Sequence, residues 1–271
     1  MTWTVATRPP PLPDDEVHVW RIELTVEHRD VIASLATVLS DEERCRAERQ
    51  ATQTLYERFV IRRAILRRLL GDYLGQPPAE ICLLNDSFGK PRLSGASAIS
   101  DCRFSLSSAG TICLIAVACG REVGVDVEPV RDLPRFADLV RSTFSATEQQ
   151  QFAALPPKLR QLAFFHAWTQ KEAYLKAMGC GLFHGAEHVE VTVDPRMPPR
   201  LLAVAHNATE AAQWNVLDVS LNLETPATLI AENSHWICRR LRYDQSPMPA
   251  RRPNPRNPET RSAFGTGAVN R

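Results

Sequence analysis

An α+β fold is expected, and three observations predict it. Short runs alternate apolar and polar residues, as in Val17–Leu24 (VHVWRIEL), Gly124–Glu128 (GVDVE) and Glu187–Val193 (EHVEVTV), the period-two pattern of half-buried strands. Two longer stretches, Phe59–Gly75 and Phe164–Gly181, carry apolar residues at helical spacing, end in glycines and are followed by strands. The chain has 271 residues, 44% of them hydrophobic, which suffices for a sizeable core.

The N-terminal 15 residues are proline-rich and are expected to be frayed or extended. Val17–Leu24 reads as the first strand and Val31–Leu39 as a short helix. Ser40 with Glu43 three residues later has the form of a capping box. The helical stretch that follows is rich in arginine, including Arg44, Arg46, Arg58, Arg62, Arg63 and Arg67. Such a face is open to three readings: a solvated surface, a grip on a nucleic-acid backbone, or a cradle for the phosphates of a small ligand. Ile81–Leu84 reads as a strand entering Asn85–Leu93, where Gly89 permits close backbone approach and Pro91 fixes the exit.

Phe104–Ala118 reads as one strand kinked at Ser107, Ser108, Ala109 and Gly110. Thr111–Ala118 is expected to pair with Glu122–Glu128 as a hairpin through Cys119-Gly120-Arg121. Arg131–Phe144 reads as a helical connection. Ser145 and Glu148 form a second capping-box pattern, Pro156-Pro157 breaks that helix, and the next begins near Arg160. Further strands are expected at Glu187–Val193, Gln213–Ser220, Ala227–Ala231 and Trp236–Leu241, and Asp194–Arg200 reads as a loop. Residues 246–271, with five prolines and few core-forming residues, read as a disordered tail.

Thirty-two basic residues face thirty-one acidic ones, so net charge argues neither for nor against a polyanionic partner. The seven cysteines form no CxxC pair and mostly sit among apolar neighbours, which predicts buried free thiols and no zinc site. MTWTVATRPPPLPDD has no apolar signal core, and no apolar run approaches a membrane span. A cytoplasmic location is expected, with no membrane and no nucleic-acid partner.

The chemistry concentrates in two stretches. In Phe164–Leu182 (FFHAWTQKEAYLKAMGCGL), Phe164, Trp168, Leu175 and Met178 share a stripe, while Glu172 and Lys176 stand one turn apart on a neighbouring face. Lys171 falls inside the apolar stripe, where a lysine must snorkel or meet an anion. Alone this could be a surface helix with an ordinary ion pair. Upstream, a strand at Gly124–Glu128 puts Asp126 and Glu128 on one face and Val125 and Val127 on the other. Two carboxylates from a strand with Glu172 from the helix make an all-oxygen site suited to Mg²⁺.

These residues carry a resemblance. GVDVE followed by WTQKEAYLK resembles the paired signature of the 4′-phosphopantetheinyl transferases, of the long-chain type similar to the surfactin-synthetase activator. Phe88-Gly89-Lys90-Pro91, Phe104-Ser105-Leu106-Ser107-Ser108 and Phe144-Ser145-Ala146-Thr147-Glu148 agree in order and spacing, and the likeness runs from about Val17 to Tyr243. It implies a pseudo-dimer of two similar α+β halves, each a helix packed on antiparallel sheet, with the active site in the cleft between them. The division is a flexible 1–15, halves at 16–130 and 131–245 joined near 129–135, and a tail at 246–271.

The resemblance also implies roles. Coenzyme A is the co-substrate, and the 4′-phosphopantetheine arm passes to a serine of an apo carrier protein with release of 3′,5′-ADP. Asp126, Glu128 and Glu172 hold Mg²⁺, with Mn²⁺ as a substitute. Glu172, or a water it orients, accepts the serine proton; Lys176 meets charge on the leaving phosphate; Asp126 completes the catalytic set. Arg46 and Arg58 approach the 3′-phosphate of coenzyme A, and Lys90 and Pro91 lie near its nucleotide. Ser107, Ser108, Lys171 and Lys176 complete the coenzyme A contacts. Ser108 stands where the family usually has a phosphate-contacting histidine. The carriers belong to peptide, polyketide or fatty-acid synthases, and loops near Phe144–Leu155 touch them. Secondary-metabolite biosynthesis and a monomer are expected. The alternative is a catalytically silent scaffold that binds coenzyme A or a carrier.

Overall fold

Helices of 22 residues span Gln53–Leu74 and Pro157–Met178, and local chemistry sets their ends. Thr52 caps the first through its side chain, Pro157 takes the first turn of the second, where its missing N–H is no loss, and Gly75 and Gly179 close them at φ 66° and 73°. The computed structural model describes residues 2–25, 29–86, 89–180, 185–233 and 235–245. Phe88, Gly181 and the 246–271 tail lie outside the described residues.

Among the described residues the elements run β1 (Thr4–Ala6), β2 (Glu16–Glu23), α1 (Arg29–Ala36), α2 (Asp41–Glu48), α3 (Gln53–Leu74), β3 (Leu83–Asn85), β4 (Pro91–Leu93), β5 (Cys102–Ala109), β6 (Ile112–Cys119) and β7 (Val123–Val127). There follow α4 (Phe136–Thr143), α5 (Ala146–Ala154), α6 (Pro157–Met178), β8 (Val189–Val191), β9 (Leu201–Val204), α7 (Ala208–Ala211), β10 (Trp214–Asp218), β11 (Ala227–Glu232) and β12 (Ile237–Tyr243). Both capping boxes form: Ser40 with Glu43 opens α2, and Ser145 with Glu148 opens α5.

The architecture is α+β in four layers. A five-stranded sheet ordered β1-β12-β2-β6-β5 packs face to face on a three-stranded sheet ordered β10-β11-β7. Alternation assigns the faces. Trp20, Ile22, Ile115 and Val117 meet α3, whereas Val19, Leu114 and Ala116 meet Val123, Val125 and Val127 of β7 between the sheets. On the outer face of the smaller sheet, Ile230 packs with α6 residues such as Tyr174 and Ala177. A long helix thus packs on each sheet, but the larger sheet is mixed, not antiparallel as expected, because β12 pairs parallel with β1 and β2.

Several expectations are corrected. Phe104–Ala118 is a hairpin, β5 and β6 turning at Gly110 with φ 57°. β6 does not pair with β7; it pairs with β2 and β5, while β7 crosses to the other sheet and pairs with β11. The helical stretch after Ser40 is two helices, because Arg49–Thr52 breaks it. The 1–15 segment is not wholly frayed: Thr4–Ala6 pairs parallel with Leu241–Tyr243. β12 also pairs parallel with β2, so the 131–245 half contributes a strand to the sheet of the 16–130 half. All seven cysteines are free, but only Cys102 and Cys113 are buried. Among the described residues no helix is long and apolar enough to cross a membrane.

Candidate active site

β7 puts its valines between the sheets, which turns Gly124 and Asp126 toward α6. Glycine at 124 is dictated by contact: a Cβ there would lie 1.8 Å from the Ala173 carbonyl oxygen and 2.9 Å from Ala177 N. Strand and helix backbones therefore touch. Thr228, opposite Asp126 in the β7–β11 register, meets Thr169 of α6 hydroxyl to hydroxyl at 3.0 Å. Glu172 and Lys176, three and seven residues beyond Thr169, are delivered to Asp126 by the same helix face.

The cluster that results is compact. Lys176 Nζ donates to Asp126 Oδ1 at 2.5 Å and to Ser107 Oγ at 2.9 Å, and Ser107 Oγ donates to Asp126 Oδ1 at 2.7 Å. The second oxygen of Asp126 and Oε1 of Glu172 are both buried without a partner. Burial first, then the negative charge of Asp126, push the Glu172 carboxyl up to about 8; Lys176 opposes them. A carboxyl that resists ionisation beside a second carboxylate marks a place built to receive positive charge.

A cleft of about 330 Å³ opens above this cluster. Glu172, Lys176 and Cys180 line one side, Arg46, Arg62 and Arg63 the other, and Asn85, Gly89, Lys90 and Pro91 the rim. Lys90 Nζ donates to the Ala177 carbonyl at 3.2 Å, and burial with Arg92 nearby lowers its ammonium to about 8. Of the residues expected at a coenzyme A site, Arg46, Lys90, Pro91 and Lys176 line the cleft, with Ser107 bound to Lys176 beneath it. Ser108 Oγ accepts from Arg62 Nη1 at 2.9 Å. Arg58 is not among the lining residues, although its Nε is buried without a partner.

Two expected roles are corrected. Lys171 is no phosphate or carrier contact: it is 1% exposed, and its Nζ donates to Glu148 Oε2 at 2.7 Å and to the carbonyls of Ala186 and Val189. It does meet an anion, but one inside the core. Replacing Lys171 with methionine leaves the Glu148 carboxylate buried and unpaired, at an expected cost of about 3–5 kcal/mol. Urea unfolding will show that loss, while turnover of the protein still folded at low temperature stays at the wild-type level. A turnover loss larger than the folded fraction explains would return Lys171 to the site.

Glu128 lies one residue past the end of β7, and its Oε2 accepts from Arg131 at 2.6 Å. The negative charge of Glu128 still reaches Glu172, but among the described residues no group of three His, Cys, Asp or Glu could hold a metal. The two orphaned oxygens of Asp126 and Glu172 nevertheless suit Mg²⁺, which takes one or two carboxylates and completes its shell with substrate phosphates and water.

Arg62, like Arg63, lines the cleft but takes no role of its own from the sequence. Its signal was present as an arginine on the same helix face as Phe59, but nothing in the spacing separates it from Arg63 and Arg67, which both pair with Glu43.

Comparison with known proteins bears on this geometry. A family model described as the 4′-phosphopantetheinyl transferase superfamily matches residues 122–231, which hold β7 and α6 with Asp126, Glu172 and Lys176. The chain is similar to the 4′-phosphopantetheinyl transferase HetI of Nostoc sp. (strain PCC 7120), 36% identical over 220 residues, 80% of this chain and 88% of that protein. It is also similar to the 4′-phosphopantetheinyl transferase psf-1 of Bacillus pumilus, 29% identical over 190 residues, 70% of this chain and 79% of that one. The crystal structure of a Thermotoga maritima holo-acyl-carrier-protein synthase aligns at 21% identity with a TM-score of 0.31 over 42% of this chain and 63% of that one, too distant to bear on the fold.

Proposed function

Because the chain belongs to the 4′-phosphopantetheinyl transferase superfamily, an enzyme family that uses coenzyme A to modify carrier proteins, we propose that it moves the 4′-phosphopantetheine arm of coenzyme A to a serine of an apo carrier protein. The type is the long-chain one, similar to the surfactin-synthetase activator. The observation that carries the reading is the pair of orphaned, buried oxygens on Asp126 and Glu172 beside the Lys176 ammonium.

The carrier supplies the nucleophile, so the enzyme needs no serine–histidine pair of its own. The serine oxygen forms a bond to the phosphorus that bears pantetheine. The bond from that phosphorus to the bridging diphosphate oxygen breaks, and 3′,5′-ADP leaves with the electron pair. Glu172 accepts the hydroxyl proton directly or through a water. Lys176, held by Ser107 and Asp126, faces the charge that develops on the leaving phosphate. Lys90 and Arg46 hold the nucleotide end, which aligns the diphosphate with Glu172. Asp126 and Glu172 would hold Mg²⁺, which when bound neutralises the diphosphate and polarises its phosphorus. Arg131 engages only the Oε2 of Glu128, which leaves the other Glu128 oxygen as a third candidate ligand.

A second cleft, between α4, α5 and the start of α6, is floored by Phe136, Val140 and Phe152. Gln149, Phe152 and Ala153 of its lining belong to the Phe144–Leu155 segment expected to touch the carrier, which is mostly helix α5 and not a loop, and the cleft supports carrier docking there.

The test is intact-protein mass spectrometry of apo carrier domains incubated with the enzyme, coenzyme A and Mg²⁺, beside an EDTA control. One added phosphopantetheine arm per carrier, abolished by EDTA, is the expected result. No added mass on peptidyl, acyl or polyketide carriers, with the enzyme shown to be folded, would favour the silent scaffold.

A further inference from the structure

Arg62 reaches from α3 into the cleft that Glu172 and Lys176 line from the far side. Its Nη1 donates to Ser108 Oγ at 2.9 Å, its guanidinium lies 5.5 Å from the centre of the Phe59 ring, and its Nε is buried without a partner. No carboxylate pairs with it among the described residues, in contrast to Arg63 and Arg67 on the same helix, which share Glu43. Burial first, then repulsion from Arg46 in the same cleft, lower the Arg62 guanidinium from its ordinary value, and Arg63 is a further cation close by. Taking a guanidinium out of water without a counter-ion is costly, and an anion entering the cleft would offset it.

The topology says where that anion lies. β5 is the edge strand of the larger sheet, so its two faces look to different elements. Ser107 faces β7 and binds Lys176, and Ser108 faces α3 and binds Arg62. Adjacent serines thus orient one cation on each side of the strand edge. A ligand lying along that edge meets both.

We propose that Arg62, oriented by Ser108, binds a phosphate group of coenzyme A, an assignment that rests on the transferase reading above. With Nη1 committed to Ser108, the Nε–Nη2 edge presents two parallel donors, which match two oxygens of one phosphate. Coenzyme A offers two sources of that chemistry, its 3′-phosphate and its diphosphate.

Titration calorimetry of coenzyme A and of 3′-dephospho-coenzyme A, in Mg²⁺, against wild type, Arg62→Gln, Arg62→Lys and Ser108→Ala tests the assignment. Arg62→Gln is expected to weaken coenzyme A binding at least about ten-fold, since hydrogen bonds to charged groups exceed neutral ones. Arg62→Lys keeps the charge but loses the two-donor edge and falls between, and Ser108→Ala loses about three-fold. Loss confined to coenzyme A assigns the 3′-phosphate; equal loss for both ligands assigns the diphosphate. Either upholds the proposal.

Affinities within two-fold of wild type for both ligands in a folded Arg62→Gln overturn it. Should that variant not fold, unchanged affinity in Arg62→Lys and Ser108→Ala overturns it equally. A wild-type enzyme that loads carriers while its variants bind normally sinks this assignment alone. A wild-type enzyme that binds neither ligand sinks the transferase reading with it.

Discussion

Glu172→Gln is expected to lower kcat/KM for carrier modification by about 10³-fold or more. The change removes the proton acceptor, worth about 10²–10⁴-fold by itself, and one of the two free buried oxygens at the cluster. The same substitution is expected to stabilise the metal-free protein. Glu172 holds its proton in the folded state up to about pH 8, against 4.5 for an ordinary glutamate. Between those values the folded chain binds a proton that the unfolded chain has lost, so stability falls as pH rises, by at most about 1.4 kcal/mol per pH unit, and levels off above pH 8. Glutamine carries no such proton, and the slope goes with it. Urea unfolding at pH 5, 7 and 9 in EDTA reads the effect. Adding Mg²⁺ at pH 9 should then restore wild type while leaving Glu172→Gln unmoved. A variant that is inactive yet no more stable at pH 9 would deny that the carboxylate is strained. A variant with more than a tenth of wild-type kcat/KM would deny its part in the chemistry. Loss of activity with gain of stability marks a residue kept for function at the expense of the fold.

Gly124→Ala is the second large effect, and here the fold fails first. The added Cβ meets backbone on the facing helix, Ala173 O at 1.8 Å and Ala177 N at 2.9 Å, where no side chain can swing aside. β7 must retreat from α6 or α6 from the sheet. Overpacking usually costs about 1–3 kcal/mol, and a backbone-to-backbone clash belongs at or above the top of that range. A misplacement of about 1 Å between Asp126 and Glu172 is also enough to cost about 10²-fold in rate. A lower unfolding midpoint and a turnover defect that persists in the folded fraction are expected together. Wild-type stability in Gly124→Ala would contradict the close approach of strand and helix described above.

Local patterns were legible in the sequence to the degree that neighbours in the chain decide them. The two capping boxes, both glycine-closed helices and the outward turn of Asp126 follow from spacing alone. What spacing could not convey was partner choice. β6 and β7 alternate cleanly enough to form a hairpin, yet β7 buries its valines against the far face of β6's own sheet and pairs with β11, a strand a hundred residues away. Glu128 continues the alternation of Asp126, but the strand ends at Val127 and Arg131 claims its carboxylate. Lys171 inside the apolar stripe and Lys176 on the neighbouring face both read from the sequence as ligand contacts. Only the fold shows that Glu148 is buried under one and that the other borders a cleft. Reading the site therefore depended on motifs held in order, and the cleft arginines Arg62 and Arg63, outside any motif, went unassigned.

The position of β12 has a consequence for how the protein is made. β2 is made well before residues 237–242, which complete one of its two hydrogen-bonding edges. β1 has no partner until β12 arrives. Until β12 is made the larger sheet therefore carries an open strand edge, the kind of surface on which nascent chains associate. The protein cannot be divided into two separately expressed halves at the linker before α4, and a chain stopped at residue 235 would lose the closure of its first sheet while keeping every residue of the cleft.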